Sequence, residues 1–516
     1  MKKIKSILFL VIPLALMIQG CTKDLDTEPE VELTLDELLE QDPDAVTGIL
    51  SRLYASFALS GPDGAGSSDI DDDAGESPFL RGIVNLQDFT ADALKNRWGD
   101  DGLDQLTTAS DWDENNKFFR YLYNRIYYTI PQANNLLLVL SAVDLENKDQ
   151  IEGEVRFIRA LAYYYLIDCF GKGVLATEEN YGTSDPLPEV DRLELFNYVE
   201  NELSEVIDLL PDTNEYGRAN KSVARMLMAK LYMNAGVYTG TEMFDEAVPL
   251  ISKVINEGGY SLDEDFVSIF SGDNYLSSEI IFPLIADADI SQSYGNTTYI
   301  VNGSLGTETM TLSDFGAEEG WSGHRATKAW YGLYNDGDLE NSTDDRAKLF
   351  WTEGHNYEMT DYKAWTDGFP SVKFRNTFYY SDSNPTTFSS TDFPLFRLAD
   401  AYLMYAECAV RGASGADMGT ALTYVNAVRN RSHASSVTQS DLTLDFILDE
   451  RGRELNFEGH RRSDLIRFGK FTGNSYLWPW KGNTLNGTSI PETYKLFPIP
   501  LTALEANENL TQNPGY

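Results

Sequence analysis

The sequence predicts a mostly α chain in which stacked helical hairpins carry a large irregular lobe. Three observations point to this fold. Apolar residues recur at three- and four-residue spacing over long stretches, as in Ile158, Leu161, Ala162, Tyr165 and Leu166. Over 61–113 and 258–394 that period fades into Gly, Ser, Thr, Asn and Asp interleaved with aromatics, a composition of functional loops. An apolar fraction of 42% supplies a packed core and excludes wholesale disorder.

Taken in chain order, the first element is an address. Lys2, Lys3 and Lys5 precede an apolar run from Ile7 to Ile18, the layout of a secretory signal over 1–20. At about 1.5 Å per residue the run spans roughly 18 Å, short of the ~30 Å bilayer core, and Pro13 interrupts it. Ile18-Gln19-Gly20-Cys21 resembles a bacterial lipobox, which makes Cys21 the expected site of acylation and a stable membrane anchor. The acidic stretch 21–34, with Pro29, reads as a tether. Thr34 with Glu37 forms a capping-box pattern where helix begins.

Helical patterns follow over 35–59, 118–143, 151–170, 193–210, 222–236, 244–257, 399–411, 419–432 and 441–469. Pro43, Pro131 and Pro249 are expected to kink or split three of them, and Pro211, Gly236 and Gly240 to stop others. Short turns between paired helices suggest a superhelical scaffold of the tetratricopeptide type, though no strict repeat consensus is visible. The expected division is a helical scaffold over 35–60, 114–257 and 395–470, a loop-rich lobe over 61–113 and 258–394, and a C-terminal segment 471–516. Cys169 and Cys408 sit in apolar helical patterns, where pairing and burial as free thiols are both compatible with the sequence.

Composition narrows the chemistry. With 40 Lys+Arg against 81 Asp+Glu, a formal charge of −41 repels nucleic acids and sulfated polymers. Four separated His residues (His324, His355, His433, His460) argue against a histidine-rich metal site. Asp69, Asp71, Asp72, Asp73 and Glu76 form an acidic run without the spacing of a calcium loop, so no metal site is assigned. Glu450, Glu454 and Glu458, at four-residue spacing on one expected helix face, could be read as glycosidase carboxylates. The adjacent Arg451, Arg453 and Arg461 favour a structural ion-pair network instead, because they hold carboxylates ionised. No phosphate-binding loop, dinucleotide fingerprint or nucleophile elbow occurs. Trp98, Tyr294, Tyr299, Trp321, Trp330, Trp351, Trp365, Trp478 and Trp480 mostly have polar neighbours, which suits surface platforms for sugar rings as well as inward loop anchors.

The ordered segments of the chain then resemble one family. They include Arg156-Phe-Ile-Arg-Ala-Leu-Ala-Tyr-Tyr-Tyr-Leu with Phe170-Gly171, Gly217-Arg-Ala-Asn-Lys221, and Pro394-Leu-Phe-Arg-Leu-Ala-Asp-Ala-Tyr. They continue with Asn426-Ala-Val-Arg429, Glu450-Arg and Glu454-Leu-Asn-Phe-Glu-Gly459, Phe497-Pro-Ile-Pro500 and Asn509-Leu-Thr-Gln-Asn-Pro-Gly-Tyr516. Over essentially its whole length the sequence resembles the SusD/RagB family, surface glycan-binding lipoproteins of Bacteroidetes. Lys23-Asp24 with Asp26 and Glu28 is similar to their surface-export signal.

The resemblance implies a tetratricopeptide-like fold with an irregular ligand-binding lobe and no catalysis or cofactor. It also implies an outer-membrane location and a TonB-dependent barrel of the SusC type as partner in nutrient uptake. Asp73-Ala-Gly-Glu-Ser-Pro-Phe-Leu-Arg81 and Tyr476-Leu-Trp-Pro-Trp-Lys-Gly482 are similar to the starch-binding branch. Carried over by position, Trp98, Tyr299 and Trp321 would form an aromatic arc. Arg81 and Asp101 would bond sugar hydroxyls, with Tyr294 and Asn296 as neighbours. Asn96 stands where the branch has a second Trp, and Asp101 where it has Asn, so one stacking face is lost. The implied ligand is a neutral oligo- or polysaccharide, first of all an α-glucan, with β-glucan or fructan as variants. Peptide capture and a surface glycoside hydrolase are the rivals.

Overall fold

The computed structural model describes residues 45–516 apart from 71, 72, 181 and 184. The signal, Cys21, the tether, the Thr34 capping box and Pro43 lie outside the described residues. The chain divides into compact units 1–49 and 50–516, and the helix Ala45–Ala58 begins within the first.

A stack of helices forms the scaffold. Lys117–Ala142 packs on Lys148–Cys169, which packs on Arg192–Leu209, then Lys221–Met233, then Phe244–Glu257. The stack resumes 140 positions later: Phe244–Glu257 packs directly on Leu398–Val410, which packs on Met418–Arg431 and Leu444–Leu455. This order is the tetratricopeptide-like arrangement expected from the periodicity. Asn side chains cap several starts, as where Asn220 accepts from Ser222 and Val223 N–H. Burial of Ile126, Ile130, Ala133, Leu136 and Leu137 on both sides of Pro131 keeps that helix in one piece. Pro249 likewise sits within Phe244–Glu257, whose apolar face is buried. The expected splits at Pro131 and Pro249 are therefore absent: packing outweighs one lost hydrogen bond.

Two further expectations change. The stretch 441–469 is two helices, Leu444–Leu455 and Arg461–Arg467, separated by Phe457 (φ 71°) and Gly459 (φ 73°). Glu458 thus lies beyond the helix that carries Glu450 and Glu454. The lobe also contains regular structure, including the helix Thr297–Ser304 and a two-stranded antiparallel ribbon of Leu94–Asn96 with His324–Ala326. A second ribbon, Ile280–Leu284 with Phe393–Arg397, joins the point where the lobe leaves the stack to the point where it returns.

The charges around Glu450, Glu454 and Glu458 are structural. Arg346 reaches Glu450 at 2.9 Å and Glu454 at 2.7 Å, and Arg397 reaches Glu454 at 2.7 Å, Glu458 at 2.6 Å and Glu279 at 2.8 Å. Lys373 joins at Glu458, and Arg431 at Glu279 and Glu454. All three glutamates are buried. Burial alone would raise the Glu450 carboxyl, but Arg346, Arg453 and Arg429 hold it down to about 2. A carboxylate so held cannot serve as a proton donor near neutral pH. Cys169 and Cys408 are buried free thiols. Among the described residues no helix is long and apolar enough to cross a membrane, and no cluster of potential ligands suits a metal ion.

Candidate functional site

The first ribbon builds the site. Asn96 pairs with His324 at one end of it, and Trp98 and Trp321 stand just beyond that end. Residues 321–323 are fixed in turn on the end of the Thr297–Ser304 helix: Trp321, Ser322 and Gly323 N–H donate to the carbonyls of Asn302, Leu305 and Gly303 at 2.7–2.8 Å. The Trp98 indole N–H donates to the Trp321 carbonyl at 2.9 Å, locking the two loops together. A Cβ at position 323 would run into the Trp98 ring, so Gly323 is there for close approach.

A line of partly exposed rings results. Trp98 and Trp321 have centroids 6.2 Å apart, Trp321 and Tyr294 6.4 Å, and Tyr294 and Phe388 4.9 Å. Each retains exposed surface, most of all Tyr294 at 39%. The Trp321 indole N–H is held by Glu319 at 3.0 Å, which fixes the ring's orientation. Phe388 was not singled out from sequence. It lies among Thr, Ser and Pro with no periodicity, and only the fold brings it beside Tyr294.

Three expected members play different parts. Tyr299 is fully buried; its hydroxyl donates to Asn85 Oδ1 at 2.7 Å, and Trp98 and His324 pack against its ring. It supports the arc from below and presents no face to a ligand. Asn296 is 2% exposed and caps the Thr297–Ser304 helix, accepting from Thr298 N–H at 2.9 Å and donating to the Ser291 carbonyl at 3.2 Å. Arg81 is buried as well. Its guanidinium lies 4.4 Å from the Tyr299 centroid and 5.8 Å from that of Trp98, donates to the Gly75 carbonyl at 3.1 Å, and stands 3.5 Å from Glu76 and Asp100. It is a cationic wedge beneath the rings. All three differ from the exposed ligand contacts expected from sequence in being buried, with their polar atoms engaged inside the lobe.

Asp101 is exposed beside the left-handed turn at Gly102, free to meet a ligand's polar groups. Asn96 takes the place of a stacking ring with a buried link: its Nδ2 is 3.0 Å from His324 Nδ1, and its Oδ1 accepts from Trp98 N–H at 2.8 Å. Burial, with Arg81 and Arg325 nearby, depresses His324 to about 3, so it is a neutral packing group. Of the other tryptophans weighed as platforms, Trp330, Trp365 and Trp478 are buried anchors. In the acidic run, Asp69 pairs with Arg125 at 2.8 Å and Asp73 accepts from Gly75 and Glu76 N–H; Asp71 and Asp72 lie outside the described residues.

Similarity to known proteins agrees with this architecture. Residues 351–516 match a family model described as the SusD family, and residues 81–233 match one described as starch-binding associating with outer membrane. The chain is 33% identical to the starch-binding protein SusD of Bacteroides thetaiotaomicron, with 98% of each chain covered. Its fold is similar to that of surface glycan-binding protein A from Bacteroides thetaiotaomicron, solved with laminarihexaose. That likeness has a TM-score of 0.70 and 21% identity, covering 91% of this chain and 99% of the other. A SusD superfamily protein of Parabacteroides distasonis is similar too, with a TM-score of 0.72 and 20% identity over 94% of this chain and 100% of that one. Two of these relatives are named as binding proteins. On full-length identity and fold together, the chain belongs to the SusD/RagB family.

Proposed function

We propose that the protein is a non-catalytic glycan-capture lipoprotein. Acylated at Cys21, it stands on the outer-membrane surface and passes a neutral oligosaccharide to a SusC-like TonB-dependent transporter. The observation that carries the reading is the line of four partly exposed rings, Trp98, Trp321, Tyr294 and Phe388, with the exposed Asp101 on the adjoining loop. Sugar C–H faces stack on such rings, while carboxylates bond hydroxyls. The similarity to a protein named for starch binding favours an α-glucan. Single-site affinity is modest, since ordering a flexible chain offsets much of the stacking; a polymeric ligand meeting many anchored copies raises retention.

Isothermal titration of the purified chain with maltoheptaose, laminarin and levan tests the ligand. Maltoheptaose alone should bind, and Trp321→Ala should abolish detectable heat. Binding of laminarin or levan instead keeps the role and overturns the α-glucan; peptide binding with no glycan binding overturns both. Reducing sugar released during incubation would overturn the non-catalytic reading. Incorporation of labelled palmitate, lost in Cys21→Ala, tests the anchor.

A further inference from the structure

The buried ion-pair network does not balance. Its six cations are Arg346, Lys373, Arg397, Arg429, Arg431 and Arg453, against the five carboxylates Glu279, Asp344, Glu450, Glu454 and Glu458. One positive charge is in surplus, inside a chain of formal charge −41. The surplus gathers at one end. Arg429 Nη1 and Arg453 Nε both donate to the same oxygen, Glu450 Oε2, at 2.6 and 2.8 Å, and the other Glu450 oxygen is taken by Arg346. Arg429 Nε donates to the Ser435 carbonyl and Arg453 Nη1 to the Leu333 carbonyl. The Nη2 group of each arginine has no acceptor among the described residues.

These two guanidiniums reach the wall of a cleft of about 410 Å³. Phe446, half-buried, lies between them, its ring centroid 5.7 Å from one guanidinium and 5.6 Å from the other. Asn335, Ser342, Thr343 and Ser435 supply amide and hydroxyl groups to the same cleft. The one carboxylate in its lining, Asp344, has both oxygens committed to Arg346, at 2.9 and 2.7 Å.

We propose that this cleft is a second ligand site, distinct from the aromatic line, that takes a small hydroxylated carboxylate, the chemistry of a sugar acid. A carboxylate spanning the two free Nη2 groups makes a charge-assisted fork and neutralises the surplus. Hydroxyls meet the Asn, Ser and Thr groups, and a C–H face lies on Phe446. The volume falls in the range of small-molecule sites, roughly 300–1,000 Å³. A neutral sugar leaves the surplus charge uncompensated and binds less well. The cleft shares no residue with the Trp98–Phe388 line, so this inference stands or falls independently of glycan capture there.

The test titrates the purified chain with glucuronate, glucose and acetate, by ligand-observed NMR and calorimetry. Glucuronate should bind at millimolar concentration, with glucose and acetate each about tenfold weaker or more. Arg453→Gln should weaken glucuronate at least about tenfold. Because Arg453 belongs to the network and its loss can destabilise the fold, Ser435→Trp is the second variant. Its side chain is exposed and belongs to no ion pair, so an indole there can fill the cleft while the network keeps its pairs. It should abolish glucuronate binding at an unchanged melting temperature. Three results would overturn the proposal: glucuronate binding no better than glucose, acetate binding as tightly as glucuronate, or glucuronate binding that survives Ser435→Trp in a folded protein.

Discussion

The Glu450–Glu458 network and the Trp98–Phe388 line spend polar and aromatic side chains in opposite ways. In the network every glutamate is buried and meets two or more cations, so the groups fix one helix packing and have no capacity left for protons. In the aromatic line the rings keep one side open, and their polar handles are tied to the backbone or to a neighbour, as with the Trp98 and Trp321 indoles. Buried carboxylates shared between cations make a frame; partial burial with fixed orientation makes a surface that can receive a ligand. Arg81 and Tyr299 belong to the frame although they lie directly under the line.

The contrast is broken most severely at Glu454. Glu454→Ala strips the shared partner from Arg346, Arg397 and Arg431, leaving three buried cations with one carboxylate fewer; urea unfolding should report a loss of about 3–5 kcal/mol. Trp321→Ala should do the reverse, leaving the unfolding midpoint nearly unchanged while glycan affinity falls about 10–100-fold. A smaller effect is expected at Asp88, buried with Oδ2 accepting from Gly459 N–H at 3.0 Å; burial raises it from 3.8 to about 8. The folded state therefore favours its protonated form, so its contribution is complete in acid and is lost as pH rises from about 4 towards 8. Asp88→Asn should remove that loss, adding on the order of 3 kcal/mol at pH 8 relative to pH 5, read from urea midpoints at the two pH values. Least disruptive is Tyr299→Phe, which leaves Asn85 Oδ1 without its donor and should cost about 1 kcal/mol of stability with glycan affinity preserved. A large loss of affinity without loss of stability would instead return Tyr299 to the ligand surface.

The scaffold was legible because its helices have one buried face. The patterns over 118–143 and 151–170 correspond to helices Lys117–Ala142 and Lys148–Cys169 within a few residues. The Thr297–Ser304 helix was missed for the converse reason: all eight of its residues are buried, so no apolar stripe marks it. The polar neighbours of Trp98, Trp321 and Tyr294 signal exposed rings, and all three keep exposed surface. Tyr299 misled, since its local sequence gives no sign of the Arg81, Trp98 and His324 side chains that close over it. The Arg81 and Trp98 contacts join residues more than two hundred positions apart, beyond the reach of any local pattern.

The interruption of the helical stack has a consequence for how the chain folds. Phe244–Glu257 buries Ala247, Val248, Ile251 and Val254, and its partner Leu398–Val410 emerges from synthesis only after the whole lobe. Closing a loop of roughly 140 residues costs only modestly more entropy than closing a short one, but it makes this docking slow and leaves an apolar face uncovered meanwhile. The Ile280–Leu284 and Phe393–Arg397 ribbon shortens the search by bringing the lobe's two ends together. The first half of the stack is thus expected to form early and to need protection from aggregation until the second half arrives.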